Sequence, residues 1–577
     1  MKGEFSKSAV NILQPIHFRI FSALSVLGGL AALFFTFAEK SEAKNASFGG
    51  YSLFRWGLGA GTAILTLILL IILIREIHSN GGITKKISRY LAEGDRAWFS
   101  FLGCLLCLYF SLWAFKFSWL FIPKNLRPQI LWAGWIFLSA AVILYTAFRE
   151  TFKTGKPWEK YRIFPRLRDL SGKQKRSLLI LLILSLIYIA VLMPSNINGS
   201  RTWDDFRHYG GDEYVIYPIL QNVLTPGDDF SATLYHHYIH EDYHYGYPFY
   251  AVSSLFMYPI RLIIGPDFMQ RIDLTLPTLR TMVSVVPLML GCLILVFMAT
   301  RFDNPWLSAA VYLFLLTAPG SLQNNQGFWH PDGLNLFFVC AAIYFMQRDR
   351  LRYGRNFFTS AFFVGLSAAT RLFGFFFFLA VGVYLLYGLL RKLFDLRQML
   401  VKGLIFIMIM AGAILWSDPF LFRSDARQNM IAILTEKTGE MSTGYNADFT
   451  DPKNDYRPGW NAWYPAFEDH FTEMFCFFFL IASLITACFI GREQWTYRIL
   501  ALWWVVVSVY LIRFVAVKST QYVLPMMLPL MSCIFALPRA LRDLKAARIR
   551  LAAWVLSAGI FAAQLVINLI KIAPRFM

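Results

Sequence analysis

An all-α polytopic membrane protein is the fold class this sequence predicts, and three observations predict it. Of 577 residues, 57% are hydrophobic and only 16% are charged, with a mean hydropathy of +0.49, whereas soluble domains carry about a quarter charged residues. Apolar runs that match the ~20 residues needed to span a bilayer recur at roughly 14 to 16 places. The cations fall between those runs: ten of them, from Arg149 to Arg176, occupy one connecting loop.

The first apolar run, near residues 17 to 38, follows a polar start and precedes no small-residue cleavage pattern, so it reads as a retained helix. A net charge of +20, from 55 Lys and Arg against 35 Asp and Glu, raises the question of nucleic acid. Basic residues confined to loops between apolar runs form no nucleic-acid face; they set topology and touch anionic lipid heads. All seven cysteines lie inside apolar runs, including Cys104 and Cys107 in FLGCLLCLYF, and read as small buried hydrophobes.

The positive-inside bias places the 149 to 176 loop in the cytoplasm, together with the Arg-rich loops at 348 to 355, 391 to 397 and 538 to 550. The loops 195 to 250 and 417 to 470 are then outside. Three apolar runs between 246 and 319 break the alternation, so one of them, 250 to 264 or 306 to 318, is expected not to cross. Two parts result: a four-helix transmembrane extension, residues 1 to 176, and a larger module, 177 to 577, which holds nearly every unusual polar group.

The acids concentrate outside. Eight lie between 195 and 250 against two cations, Arg201 and Arg207, and seven of the nine histidines fall in outer segments. In YGGDEYVIY, Asp212 and Glu213 precede an amphipathic run that reads as a short helix on the membrane surface. Asp212 is placed either to cap that helix or to act as a general base, its pKa lifted by aromatic neighbours. His236, His240 and His244 in YHHYIHEDYHY stand at helical spacing, which suits either a divalent metal or an interfacial aromatic and His belt. Asp332 in HPDG opens an apolar helix and suits its dipole. Arg371 interrupts an otherwise uncharged stretch from Phe357 to Leu390, predicting two short helices joined by an outer turn and an anionic partner such as a lipid phosphate. Lys518 occupies a similar outer turn.

From 177 to about 540 these pieces resemble, in order, the GT-C superfamily of polyprenyl-phosphate-sugar-dependent glycosyltransferases, especially the protein O-mannosyltransferase and lipid A aminoarabinose transferase branch. GGDEYVIYP resembles the acidic first-loop motif, YGYPFYAVSSLFMYPIRLIIG the Pro-containing segment, and HPDGLNLFF the Asp-Pro helix start. ATRLFGFFF resembles the Thr-Lys-Gly turn, and VKSTQYVLPMMLP the basic-Tyr-Pro segment. The resemblance implies a GT-C-type module with Asp212 as catalytic base, Glu213 and Asp332 as its acidic companions, and Arg371 and Lys518 beside the lipid phosphate. Arg201, Arg207, Tyr217, His244, Tyr247, His330 and Tyr522 fall in or beside the matched segments and are expected to bind substrate. Two departures stand out. His330-Pro331-Asp332 reverses the Asp-Pro order, and Tyr245 and Gly246 stand where a Lys is expected.

The expected activity is transfer of a sugar from a polyprenyl phosphate to a hydroxyl of a glycan, lipid or protein acceptor, with inversion and with no required cofactor. No nucleotide-binding loop is present. The expected setting is a bacterial inner membrane with the site facing the periplasm. A lipid-sugar flippase, or a non-enzymatic assembly subunit docking through the acidic loop, are the rival functions.

Overall fold

The computed structural model describes residues 15–38, 51–92, 127–153, 170–209, 211–238, 243–444 and 458–575, with scattered positions between 100 and 115. No β-strand occurs among the described residues. Nine described helices are long and apolar enough to cross a bilayer, or up to 11 if two sharply bent pairs each count as one span. The chain is a multi-pass integral membrane protein. Among the described residues, some of the roughly 14 to 16 apolar runs expected to cross fold into helices shorter than a bilayer requires. Arg355–Thr370 has 16 residues and Phe377–Leu390 has 14.

The chain divides into two compact units, Met1–Arg166 and Leu167–Met577. Within the first, Pro15–Phe37, Leu53–His78 and Arg127–Lys153 are predominantly apolar. A short helix rich in Lys and Arg, Gly82–Ala92, follows the second of them. Its free N–H groups are met by the buried Glu76 carboxylate, which accepts from Ile83 at 2.9 Å and Thr84 at 3.0 Å.

The second unit begins with Gly172–Ile197, opened by a capping box between Ser171 and Gln174. Its core is the helix Asp332–Asp349, buried along nearly its whole length. Arg355–Thr370 packs antiparallel to that helix, and Leu396–Ser417 packs against Arg355–Thr370. Leu396–Ser417 turns Leu400, Leu404 and Met408 outward and Phe406 inward. In a membrane protein such exposed apolar faces meet lipid chains.

Of the three apolar runs between 246 and 319, Ile272–Thr300 is long enough to cross alone, whereas Pro305–Leu316 qualifies only together with Pro319–Asn325, to which it bends by 65°. The third, Tyr247–Ile264, buries Phe249, Tyr250, Ser253 and Met257 on one side and leaves Leu262 87% and Ile263 84% exposed on the other. That one-sidedness suits a helix lying along the interface.

Replacing the inward Phe406 by Ala is expected to cost about 3–5 kcal/mol through a cavity, while Met408→Ala, facing lipid, costs little. Thermal unfolding of the two purified variants in the same detergent would check the contrast; equal losses would reverse the assignment of faces.

Candidate active site

Two adjacent carboxylates part company at the first turn of Asp212–Leu224. Gly211 precedes the helix at φ +49°, a conformation suited to glycine, and supplies no side-chain cap. Successive helical residues project about 100° apart. Asp212 therefore faces solvent while Glu213 turns fully inward.

Glu213 receives Arg280 through two bonds, Nε at 2.9 Å and Nη2 at 2.5 Å, and also accepts the backbone N–H of Trp329. The remaining edge of Arg280 donates to the carbonyls of Asn196 at 2.7 Å and Asn198 at 2.9 Å. One ion pair thus ties together four segments that are remote in sequence. Arg280 lies at the start of a π-helical stretch, Arg280–Val285, inside the Ile272–Thr300 helix, a local rearrangement often found at functional positions. The same stretch presents Ser284, whose hydroxyl accepts from the His330 N–H at 2.9 Å and donates to the His330 carbonyl at 3.1 Å. Gly333 packs so closely that a Cβ there would lie 2.2 Å from the Ser284 carbonyl.

Held in this way, residues 328 to 332 present a polar cluster. His330 stacks on Phe328 at 4.7 Å and meets the Tyr245 hydroxyl through Nε2 at 2.7 Å, while its Nδ1 contacts the Asp332 carboxylate. Asp332 pairs with Arg371, whose guanidinium lies 5.4 Å from the Tyr245 ring and 5.5 Å from the Tyr522 ring. Arg371 is extended between Arg355–Thr370 and the turn that leads to Phe377–Leu390, as its sequence setting predicts. Its anionic partner is a protein carboxylate. Tyr245 is set by Gly246, where a Cβ would lie 1.4 Å from the Ala369 carbonyl, and by Asp418, which accepts the Tyr247 N–H at 2.8 Å.

Burial pushes His330 below its ordinary value, with Asp332 opposing the effect and Arg371 adding to it. Burial also works against the charge of Asp332, but Arg371 and His330 outweigh it and keep that carboxyl below the usual carboxylate range. Burial pushes Glu213 up, against the pull of Arg280 and Trp329, and raises Asp418 well above its ordinary value. Asp212 is near enough for its charge to act on both Tyr245 and His330.

The predicted site residues separate into two groups. His330, Asp332, Arg371 and Tyr522 come together, and Asp212 reaches them through its charge alone. Tyr217 does not join them: it is fully buried, with its hydroxyl on the Met269 carbonyl at 2.8 Å and on Thr275 at 2.5 Å, and packs in the core. Glu213 is engaged on both oxygens and positions its neighbour. Asp212 is exposed, where an aromatic enclosure is expected from the sequence. Tyr247 is buried against the rings of His237 and Tyr238. Arg201, Arg207 and His244 are exposed. Lys518 donates to its own turn at the Ala516 carbonyl, 3.0 Å away, and lies 5.9 Å from the Trp463 ring.

His236 and His244 do not lie on one helix. The helix of His236, Phe230–Tyr238, ends before His244, which stands in an irregular segment, and His236 is turned to the Thr225 carbonyl at 3.3 Å. His240 lies outside the described residues. No group of three His, Cys, Asp or Glu suited to a metal occurs among the described residues.

Breaking the buried pair with Glu213→Gln should destabilise the protein by about 3–5 kcal/mol, whereas Asp212→Asn, one residue away and exposed, should leave unfolding in detergent nearly unchanged. A pH dependence follows from His330. Its folded pKa lies below its unfolded one, so its contribution is full above about pH 6.5 and is lost as pH falls below that value. His330→Gln should therefore flatten the decline of melting temperature on acidification, and an unchanged slope would remove His330 as its source.

No protein-family model matches this chain, and neither does any curated protein.

Proposed function

We propose that the chain is an integral membrane glycosyltransferase of GT-C type that moves a sugar from a polyprenyl-phosphate donor to an acceptor hydroxyl, at the membrane face bearing the acidic 195 to 250 loop. The observation that carries the reading is the Asp332–Arg371–His330–Tyr245 cluster, drawn from three distant segments, with the exposed Asp212 close enough for its charge to reach His330 and Tyr245. An exposed carboxylate whose charge reaches a cluster built around a fixed, aromatic-flanked guanidinium suits an inverting displacement at a lipid phosphate.

In that reaction Asp212 takes the proton of the acceptor hydroxyl, whose oxygen attacks the anomeric carbon from the side opposite the phosphate. The bond from the anomeric carbon to the phosphate oxygen breaks, and its electron pair leaves with the polyprenyl phosphate. Arg371 meets the growing charge, since Asp332 occupies one edge of the guanidinium and the group has five N–H donors. Lys518 precedes the helix that carries Tyr522, and in this reading it adds positive charge on the lipid side. His330 fits the scheme as the group that positions Tyr245 and Arg371.

Loss of a general base costs roughly 10²- to 10⁴-fold in rate. Incubating the purified protein with a panel of polyprenyl-phosphate sugars and following released polyprenyl phosphate by mass spectrometry should show that loss for Asp212→Asn, with folding intact. Full transfer by this variant would end the assignment of the base. Translocation of the lipid-sugar in liposomes without any transfer would replace the enzyme by a flippase.

A further inference from the structure

The core helix Asp332–Asp349 has a second functional end. Its 18 residues extend about 27 Å at 1.5 Å per residue, close to the ~30 Å depth of a bilayer's hydrocarbon. Asp332 at one end belongs to the cluster described above; Asp349 at the other organises a strained turn. Arg350, Leu351 and Tyr353 all have positive φ, at +49°, +59° and +51°. Non-glycine residues hold such conformations only where their surroundings overdetermine them, and such places concentrate at ligand sites. Here Asp349 accepts the N–H groups of Tyr353 at 2.9 Å and Gly354 at 3.0 Å and the Tyr384 hydroxyl at 2.7 Å, while that hydroxyl accepts the Leu351 N–H at 2.8 Å.

This turn forms one wall of a hollow of about 640 Å³, closed on the other side by residues 393 to 405. Three cations line it: Arg352 and Arg397, both exposed, and the half-buried Lys402, whose Nζ lies 5.7 Å from the Tyr353 ring. The one acid in the lining, Asp395, is engaged as a helix cap on the Gln398 N–H at 2.7 Å. The rest of the lining is largely apolar, and Val401 and Ile405 continue it onto the Leu396–Ser417 helix, beside the outward Leu400, Leu404 and Met408. A cationic mouth over an apolar wall that runs on into a lipid-facing stripe complements an anionic amphiphile. Basic pockets at the ends of membrane helices bind anionic lipid heads on this principle.

We propose that this hollow holds the headgroup phosphate of an anionic membrane phospholipid, with its acyl chains along the Leu400, Leu404 and Met408 face. The site lies at the opposite end of the core helix from Asp332 and does not depend on the glycosyltransferase reading.

Native mass spectrometry of the delipidated full chain in mild detergent, titrated with phosphatidylglycerol or phosphatidylcholine, tests it. Each cation near a lipid surface contributes about 1 kcal/mol, so the triple variant Arg352→Gln, Arg397→Gln, Lys402→Gln should bind phosphatidylglycerol at least ~10-fold more weakly. Phosphatidylcholine binding should not change. A matched variant in another basic loop, Arg542→Gln, Arg548→Gln, Arg550→Gln, should bind as the wild type does. Should the triple variant not fold, single Arg397→Gln and Lys402→Gln variants, each about 3- to 5-fold weaker, serve instead. Undiminished binding by the cavity variants, or equal losses in both triple variants, overturns the site. Displacement of phosphatidylglycerol by millimolar inorganic phosphate or by glycerophosphoglycerol would assign the hollow to a soluble anion and overturn the lipid.

Discussion

The ion pair between Glu213 and Arg280 is the constraint on which the candidate site depends. Both side chains are buried, and burying two charges costs several kcal/mol each unless the remaining donors and acceptors are met. They are met here: two bonds join the pair, one backbone N–H reaches the carboxylate, and two carbonyls receive the far edge of the guanidinium. An apolar contact of equal size could stabilise the same packing, but it would not fix direction. A bidentate pair does, because the planar fork accepts a carboxylate in one orientation. Glu213 inward and Asp212 outward are two consequences of one helical step.

The same logic extends along the core. Ser284, one helical turn beyond Arg280, grips the backbone of His330 on both its N–H and its carbonyl. His330 in turn faces Tyr245, and Tyr245 is fixed by the contact of Gly246 with Ala369. Arg371 follows directly on the helix that supplies Ala369. The antiparallel pair Asp332–Asp349 and Arg355–Thr370 thus brings the carboxylate and the guanidinium of the Asp332–Arg371 contact to adjacent ends, and turns through the Asp349 network at the other.

Much of this was legible in the sequence, and the parts that were not share a cause. Composition reports lipid contact directly, so the helical, polytopic class follows from hydropathy alone. The turn at Arg371 follows because a cation is costly inside an apolar run. The crossing number does not follow, because hydropathy alone does not tell how an apolar run is divided: Arg355–Thr370 and Phe377–Leu390 come from one long stretch that is uncharged from Phe357 to Leu390 but for Arg371, and Pro305–Leu316 bends by 65° into Pro319–Asn325. Arg280 went unnoticed although it stands in the apolar stretch LPTLRTMVSVVP, where the argument applied to Arg371 holds equally. Tyr245 stood out only as a departure from the resemblance, where a Lys is expected, and Asp418 gave no signal, since an acid after a helix occurs widely. Spacing alone implies one helix for the three histidines, but His244 stands in an irregular segment.

The pairing of Arg371 with Asp332 bears on how the proposed reaction would gain its rate. A bare guanidinium would attract the donor's phosphate strongly in the ground state, and binding that is equally strong before and during reaction does not raise the turnover rate. A guanidinium whose charge is already matched by a fixed carboxylate attracts the resting phosphate less. It still presents oriented N–H groups, held between the rings of Tyr245 and Tyr522 and by Asp332. Such donors respond most to charge that develops during the reaction, and they need no reorganisation when it does. On this argument Asp332 acts through Arg371: it lowers affinity for the resting donor and keeps the cation aimed where the leaving phosphate becomes more negative.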